Sequence, residues 1–482
     1  MPDTPNIESL GRWIHSWIQK NGAIHGFHNH SVWGNNPYRY GDMTATHSTF
    51  ASPLIPALSL ALKKHQDDGG SELINQLIEF QRSSFQEDGQ YRHVGFQVEE
   101  MLNHGLIHNM IPDVSLSMAA HLLKDSLDPC LLEKMDQAIR RNFDACDMRY
   151  GPRPTNGLDG GRSSVCNQEY CRLWARLLHM EVFQHSEWDT LVWEGLHFMI
   201  DYFHIANIPD TASSGARRLA NNSRFVEPAE YYGLMIAPLL LGYQRYGEER
   251  FLREAIQLAN HLVHGSWVDD SGNRRLHRMY QQQDDRWIRV RSPMLIGGMG
   301  ISLFSIQQLQ EFAPQEEYAS FLDDMDRTYA HYQARSGFFL AATGWQKEAD
   351  IIPSTAWESH DLLHLIHRHG VPESFWNTIR QPQEGVSVVL GENCIWLEDH
   401  NRWALRGYFS MQDAEIIGRK DRGVFIYDIP DWIAEPSVTA REYRMEDEPV
   451  FQKTDDAILH FSGRKDLRIL NATNLDYRGP SL

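Results

Sequence analysis

The sequence predicts a mainly α fold: about six helical hairpins closed into a ring, followed by a small antiparallel β domain. Three observations predict it. Segments with apolar residues at helical spacing fill residues 1–375. Six long polar connections recur between them. From residue 376 to 482 the pattern changes to short β-branched and aromatic runs.

The helical segments follow in order. Ile7–Lys20 comes first, then 48–65, whose sequence PLIPALSLALKKH is apolar on several sides. Ser71–Gln86 follows, with Ser71 as the expected N-cap. His104–Leu123, Pro129–Asp147, Cys166–Gln184 and Glu187–Ile205 continue the series. Ala229–Tyr246, Glu249–Gly265, Ser292–Phe312, Glu316–Gln333 and Thr355–Gly370 complete it. Helices that follow a long connection, such as YCRLWARLLHMEVF, are rich in small and apolar residues, as befits an inner ring. Their partners, such as EKMDQAIRRNFDACD, are amphipathic and acidic, as befits an outer ring. The long connections are Gly22–Thr46, Gln86–Asn103, Gly151–Val165, Asn207–Pro228, Ser266–Arg291 and Arg335–Ser354. Strands are expected at Val386–Leu390, Cys394–Leu397, Trp403–Phe409, Val424–Tyr427, Ala457–Phe461 and Leu467–Leu470.

Composition excludes several functions. A net charge of −19 disfavours a nucleic-acid partner, because holding phosphates needs surplus Lys and Arg. No apolar run is long enough for a membrane span, and MPDTPNIESLGRW lacks the features of a signal peptide, so a cytoplasmic location is expected. The five cysteines form no disulfide framework and read as buried reduced thiols. Self-assembly into a homo-oligomer stays open. The chain carries 14 Trp, 18 Tyr, 21 Phe and 24 His, many in polar connections such as HGFHNHSVWGNNPYRYGD. Aromatic faces beside hydrogen-bonding groups suit a sugar, whose C–H faces stack while its hydroxyls take polar partners.

Paired inner and outer helices, six long connections on one side and a C-terminal β domain resemble the (α/α)6-toroid carbohydrate-active enzymes. That group holds polysaccharide lyases and glycoside hydrolases, and its lyases that remove rhamnose from glucuronate are the suggested neighbour. The resemblance spans nearly the whole chain. It implies a carbohydrate substrate and sets an expectation for function rather than a derivation of it.

Candidate site residues gather in the connections and at helix starts. His28, Asn29, His30, Trp33, Tyr38 and Tyr40 share the first long connection, with His28 and His30 as candidate bases. Glu100, His104 and His108 are four apart and share one face if helical. That face is read as a hydrogen-bonding stripe with Asn109, and His104 as a candidate catalytic group; a metal on Glu100, His104 and His108 is the alternative. No cofactor is otherwise expected. Asn167 and Glu169 open an inner helix, Asn167 as a candidate binder of a carboxylate or hydroxyls and Glu169 as a candidate catalytic acid, with capping of the helix start as the alternative. Asn222, Arg224 and Tyr231 lie in one segment, and His277, Arg278, Tyr280, Arg289 and Arg291 in another. Its alternating stretch Trp287–Arg291 has strand character. Clustered arginines suit capture of a substrate carboxylate, although salt bridges to outer-helix acids explain them as well. Trp345 and Trp357 are sugar platforms, and Glu358 and His360 open the last inner helix. The run His360, His364, His367 and His369 fits an ordinary half-polar helix face. Gly297-Gly298-Met299-Gly300 reads as close helix packing.

Two reactions suit such residues. β-Elimination on a uronate needs the carboxylate neutralised by Arg or Asn. A His or Tyr base then takes the C5 proton, and a Tyr or His acid protects the leaving oxygen. Tyr231 and Tyr280 join the histidines as candidates for these roles. Hydrolysis needs two facing carboxyl groups, drawn from Asp42, Glu100, Asp113, Glu169, Glu230 and Glu358. Elimination is the first expectation, because the connections hold more His, Tyr, Asn and Arg than isolated acids. A non-catalytic glycan-binding or scaffold protein is the expectation of another class.

Overall fold

The computed structural model describes residues 4–15, 18, 25–26, 44–45, 52–85, 87–91, 106–154, 165–205, 215–220, 223–270, 272–277, 280–284, 286–289, 294–295, 297–333, 337, 339–343, 351–353 and 358–381. It also describes the strand backbone between 386 and 471. The described helices, in chain order, are α1 (Ile7–His15), α2 (Leu54–Lys64), α3 (Asp68–Ser83), α4 (Leu106–Leu123), α5 (Pro129–Tyr150), α6 (Cys166–Phe183) and α7 (Asp189–Tyr202). They continue with α8 (Tyr232–Tyr246), α9 (Glu249–Gly265), α10 (Gly300–Phe312), α11 (Glu316–Tyr332), α12 (Glu358–His369) and α13 (Phe375–Ile379).

Helices α2, α4, α6, α8, α10 and α12 form a closed ring, each packed on the next and α12 packed back on α2. The fold is therefore an (α/α)6 toroid. Helices α3, α5, α7, α9 and α11 lie outside, each joined to its inner partner by a short turn that reverses the chain. The sixth outer position is filled from both ends of the helical region. α1 packs on α12 and α13, and Ser374 and Thr378 donate to the Glu8 carboxylate at 2.6 and 3.1 Å.

Position in the ring explains burial. An inner helix touches two inner neighbours and an outer partner, so nearly every residue of α4 is buried, Asp113, Ser115 and Ser117 included. An outer helix has one covered face, and in α9 only Phe251, Glu254, Ala255, Leu258, Ala259, His261 and Leu262 are buried. The inner helices start at the same end. A Cβ on Gly233 in α8 would lie 2.2 Å from the Ile301 carbonyl oxygen in α10. A Cβ on Gly300 would lie 2.2 Å from the His360 carbonyl carbon in α12. Only a residue without a side chain permits these approaches. Ser302 Oγ accepts from the Gly233 N–H at 2.9 Å, and Asp361 accepts from the N–H groups of Gly298 and Gly300 at 2.8 and 2.9 Å. The close packing expected of the glycine-rich segment is observed, but α10 begins at Gly300 rather than Ser292.

Other boundaries differ in informative ways. The N-cap of α3 is Asp67, whose carboxylate accepts from the Gly70 N–H at 2.8 Å; Ser71 lies inside the helix. A carboxylate there also suits the helix dipole. Two expected long connections, and the start of the helix expected from Ser292, contain strands: β3 (Ser266–Val268), β4 (Arg274–His277), β7 (Met294–Leu295), β8 (Leu340–Thr343) and β9 (Ile351–Pro353) form one antiparallel sheet in that order. Such two- to four-residue strands are too short to leave a periodic signal, and non-local pairing defines them. The hairpin of β5 (Tyr280–Gln283) and β6 (Arg286–Arg289) agrees with the strand character of Trp287–Arg291. Near the start of the chain, β1 (His25–Gly26) pairs with β2 (Thr44–Ala45).

Beyond α13 the chain is β, as expected. Strands β10 (Val386–Leu390), β11 (Cys394–Asp399), β12 (Leu405–Ser410), β13 (Gly423–Asp428), β14 (Thr439–Arg444) and β17 (Leu470–Asn471) form an antiparallel sheet in that order. Strands β15 (Phe451–Lys453) and β16 (Leu459–Phe461) pair separately. Cys146, Cys166 and Cys171 are buried free thiols, whereas Cys130 is exposed at the start of α5, against the expectation of uniform burial. Among the described residues, no helix is long and apolar enough to cross a membrane.

Candidate active site

The ring has two chemically different ends. Midway along its axis and toward the C-terminal ends of the inner helices lies a cavity of about 530 Å³. All six inner helices line it, through Leu60, Met118, Leu177, Leu241, Phe304 and Leu363 among others. Its wall is largely apolar, but His121, Glu181, Arg245 and His367 also line it. The opposite end, where the inner helices begin, gathers buried ionisable groups.

One cluster joins the starts of α6 and α8 to α9. Asn167, in the first turn of α6, donates to Glu227 in the segment leading to α8. That segment is held by short main-chain ladders: Cys166 N–H donates to the Leu219 carbonyl at 2.9 Å, Glu227 N–H to Arg217 at 2.7 Å, and Val226 N–H to Tyr280 at 2.9 Å. Arg217 is fully buried and paired with Glu254 of α9. The His261 ring, also from α9, stacks on Tyr232 at 4.9 Å and meets Tyr280 edge-on at 6.1 Å. Burial, and then the neighbouring Arg217 charge, hold His261 down to about 3, so its imidazole is neutral. Burial pushes the Tyr232 and Tyr170 hydroxyls well above their ordinary value.

A second group stands in the first turn of α12. Glu358 and His360 are both buried, and burial holds His360 down to about 3. Asp361 beside them is taken by the α10 start and by the Tyr329 hydroxyl at 2.7 Å. Burial raises Asp361 to about 7 against these hydrogen bonds. Farther along α12, Gln307 bridges His364 at 2.9 Å and His367 at 2.7 Å, and His369 lies 3.0 Å from Asp326. The histidine run after His360 thus ties helices together.

These histidines give folding a pH dependence. A histidine neutral in the folded chain but titrating near ~6.5 when unfolded takes up a proton on unfolding below that pH. Stability from His261 and His360 is present above about pH 6.5 and falls as pH drops toward about 3, by roughly 1.4 kcal/mol per unit for each. Glu169 and Asp361, both raised to about 7, act oppositely and lose stability as pH rises through that value. His261→Phe, which keeps a ring against Tyr232, is expected to flatten the acid limb in denaturation curves measured across the acid range. An unchanged slope would show that His261 is protonated in the folded chain.

Several candidates from the sequence are engaged in structure. Glu169 is buried against Arg172, which also reaches the Gly151 carbonyl at the end of α5, so the pair fastens α6 to α5. Asn109 accepts from the Tyr91 N–H at 2.8 Å and donates to Gln90 at 3.2 Å, tying the first part of the connection before α4 to that helix. Asp113 accepts from Asn142 at 2.6 Å between α4 and α5. The Arg224 side chain is exposed, and its carbonyl accepts from the Gln282 N–H at 2.6 Å. His108 is buried in the first turn of α4, and this helix as described starts at Leu106, after Glu100 and His104. Tyr231 is half-buried in the 3-10 turn before α8, and Tyr280 is buried.

His28, Asn29, His30, Trp33, Tyr38, Tyr40, Asp42, Glu100, His104, Asn222, Arg278, Arg291, Trp345 and Trp357 lie outside the described residues. So do the side chains of His277 and Arg289, whose backbones are in β4 and β6.

This toroid already occurs in solved structures. The chain matches a sugar epimerase from a ruminal bacterium with a TM-score of 0.51 and 10% identity, over 76% of this chain and 99% of that one. It matches cellobiose 2-epimerase from Bacillus thermoamylovorans with a TM-score of 0.51 and 9% identity, over 73% and 95%. An unsaturated glucuronyl hydrolase specific for heparin gives a TM-score of 0.50 and 12% identity, over 76% and 96%. At such identities the likeness is one of fold. The sequence matches no protein-family model and no curated protein.

Within the toroid, sequence reasoning missed His261. It sits on an outer helix, in a pattern that reads as a plain amphipathic face, and only the packing of α9 on α8 carries it to Tyr232. The remaining members, Arg217, Glu227 and Tyr232, flank the predicted Arg224 and Tyr231. The signal was present there, and the particular side chains were not separable.

Proposed function

We propose that the protein is a carbohydrate-active enzyme that works by acid–base chemistry at the end of the toroid where the inner helices begin. One observation carries this reading. Glu358 and a neutral His360 occupy the first turn of an inner helix, at the ring end that also holds Asn167, Glu227 and Glu230. The sugar-processing enzymes of the same fold support a carbohydrate as the substrate class.

The finer reading is β-elimination from a uronate. The substrate carboxylate is neutralised by amide and arginine donors, Asn167 and the expected Arg224, Arg289 and Arg291. An imidazole takes the C5 proton; His360 is the described candidate. Bound beside His360, the anionic sugar would raise its proton affinity from the ligand-free value, because an opposite charge favours the imidazolium. A phenol such as Tyr231 returns a proton to the leaving oxygen. Hydrolysis is the second reading, favoured by the carboxyl groups of Glu227, Glu230 and Glu358 at one end of the ring.

The deciding experiment incubates the full chain with a panel of uronate-containing glycans, rhamnose–glucuronate linkages among them. Elimination yields an unsaturated uronate with new ultraviolet absorbance. Hydrolysis yields reducing ends without that absorbance. Inert behaviour toward the panel and toward neutral oligosaccharides would defeat the carbohydrate assignment.

A further inference from the structure

At the far end of α6, away from the polar end of the ring, a second set of side chains converges. His179, from the last turns of α6, places its Nε2 2.6 Å from Asp136 Oδ1 of α5. The chain then turns through Gln184, a non-glycine residue with φ of 59°, and brings His185 back over His179. The two imidazoles stack at 5.0 Å with planes 15° apart. His185 Nε2 lies 3.2 and 3.4 Å from the two Asp136 oxygens. One donor atom from each of the three residues falls within 4.8 Å of the others.

The surroundings suit a bound cation. Phe143, Phe183 and Trp188 ring the His179 imidazole at 5.5, 5.0 and 5.3 Å, giving an apolar wall behind the donors. Asp136 and His185 keep about a quarter of their side-chain surface, so the set is reachable from solvent. His179 Nδ1 has no hydrogen-bond partner among the described residues, so no neighbour there fixes which ring nitrogen carries the proton. Glu187 stands 3.7 Å from His185 Nδ1.

We propose that Asp136, His179 and His185 form a binding site for a zinc-class divalent cation, which would pin the α6–α7 turn to α5. Two imidazoles and a carboxylate are a donor set zinc accepts, with bonds of about 2.0–2.2 Å and a fourth position left to water. Tetrahedral bonds of that length need donors about 3.3 Å apart, so the His179–Asp136 contact opens slightly as the cation replaces the shared proton. That proton moves to His179 Nδ1 or to solvent. Arg140 is the opposing group: its guanidinium lies 3.4 Å from His185 Nε2, pairs with Glu187 at 3.1 Å and is half-exposed. It must swing outward for the cation to enter.

The test is titration of the metal-stripped full chain with Zn²⁺ by calorimetry and with Co²⁺ by visible absorbance. One ion per chain with the intense bands of tetrahedral cobalt is expected. Asp136→Asn and His185→Ala should each weaken binding by at least about tenfold. Arg140→Gln should tighten it, an effect that a mere hydrogen-bonded triad has no reason to produce. These three positions are surface-accessible, so the variants retain the core. No stoichiometric binding, or binding indifferent to both Asp136→Asn and His185→Ala, would overturn the proposal, since the 24 histidines offer other places for a stray ion. The outcome is independent of the sugar chemistry at the other end of the ring.

Discussion

Replacing Arg217 with methionine is expected to destabilise the protein by about 3–5 kcal/mol, the cost of removing one partner from a buried ion pair. Arg217 and Glu254 are 0% and 6% exposed. Their attraction offsets the desolvation of both charges only while both are present. Methionine fills much of the guanidinium's volume, so cavity formation is a minor term, and the dominant loss is the buried Glu254 carboxylate left without its cation. The double variant Arg217→Met/Glu254→Met should recover most of the deficit, because an apolar pair of similar volume avoids both desolvation costs. Equilibrium denaturation of the two single variants and the double variant closes the cycle. Single variants within experimental error of the parent would mean that water reaches this pair.

The second large effect concerns turnover. If His360 is the base of the proposed reaction, His360→Gln is expected to lower kcat by about 10²–10⁴-fold, the usual contribution of a positioned proton acceptor. Glutamine retains a polar group of similar reach, so folding and KM should change much less. Glu358→Gln is the companion. Under elimination it should affect KM and kcat together, through substrate positioning; under hydrolysis it should remove kcat selectively. Activity of His360→Gln near the parent level would transfer the base to another residue.

The connections between helices are where sequence and structure part. Ser266–Arg291 and Arg335–Ser354 read as irregular, yet five strands from this region and its flanks join one sheet. Their pairing partners are distant in sequence, and runs of two to four residues carry no usable period. The same limit governs the site. Asn109 and Glu169 have the residue types and positions of ligand-binding groups, but Gln90, Tyr91 and Arg172 occupy them. Nothing within the local sequence distinguishes a carboxamide that meets a substrate from one that meets a main-chain N–H.

The sequence by itself determined the alternation of inner and outer helices and the start of the C-terminal strands. Those follow from periodicity, and periodicity is a property of neighbours along the chain. Tertiary structure alone decided that α1 completes the sixth outer position, that His261 reaches Tyr232 from an outer helix, and that Arg217 is neutralised by Glu254. Each depends on which helix faces are brought together when the ring closes, and burial then sets whether a charged group is paired or a titratable one stays neutral.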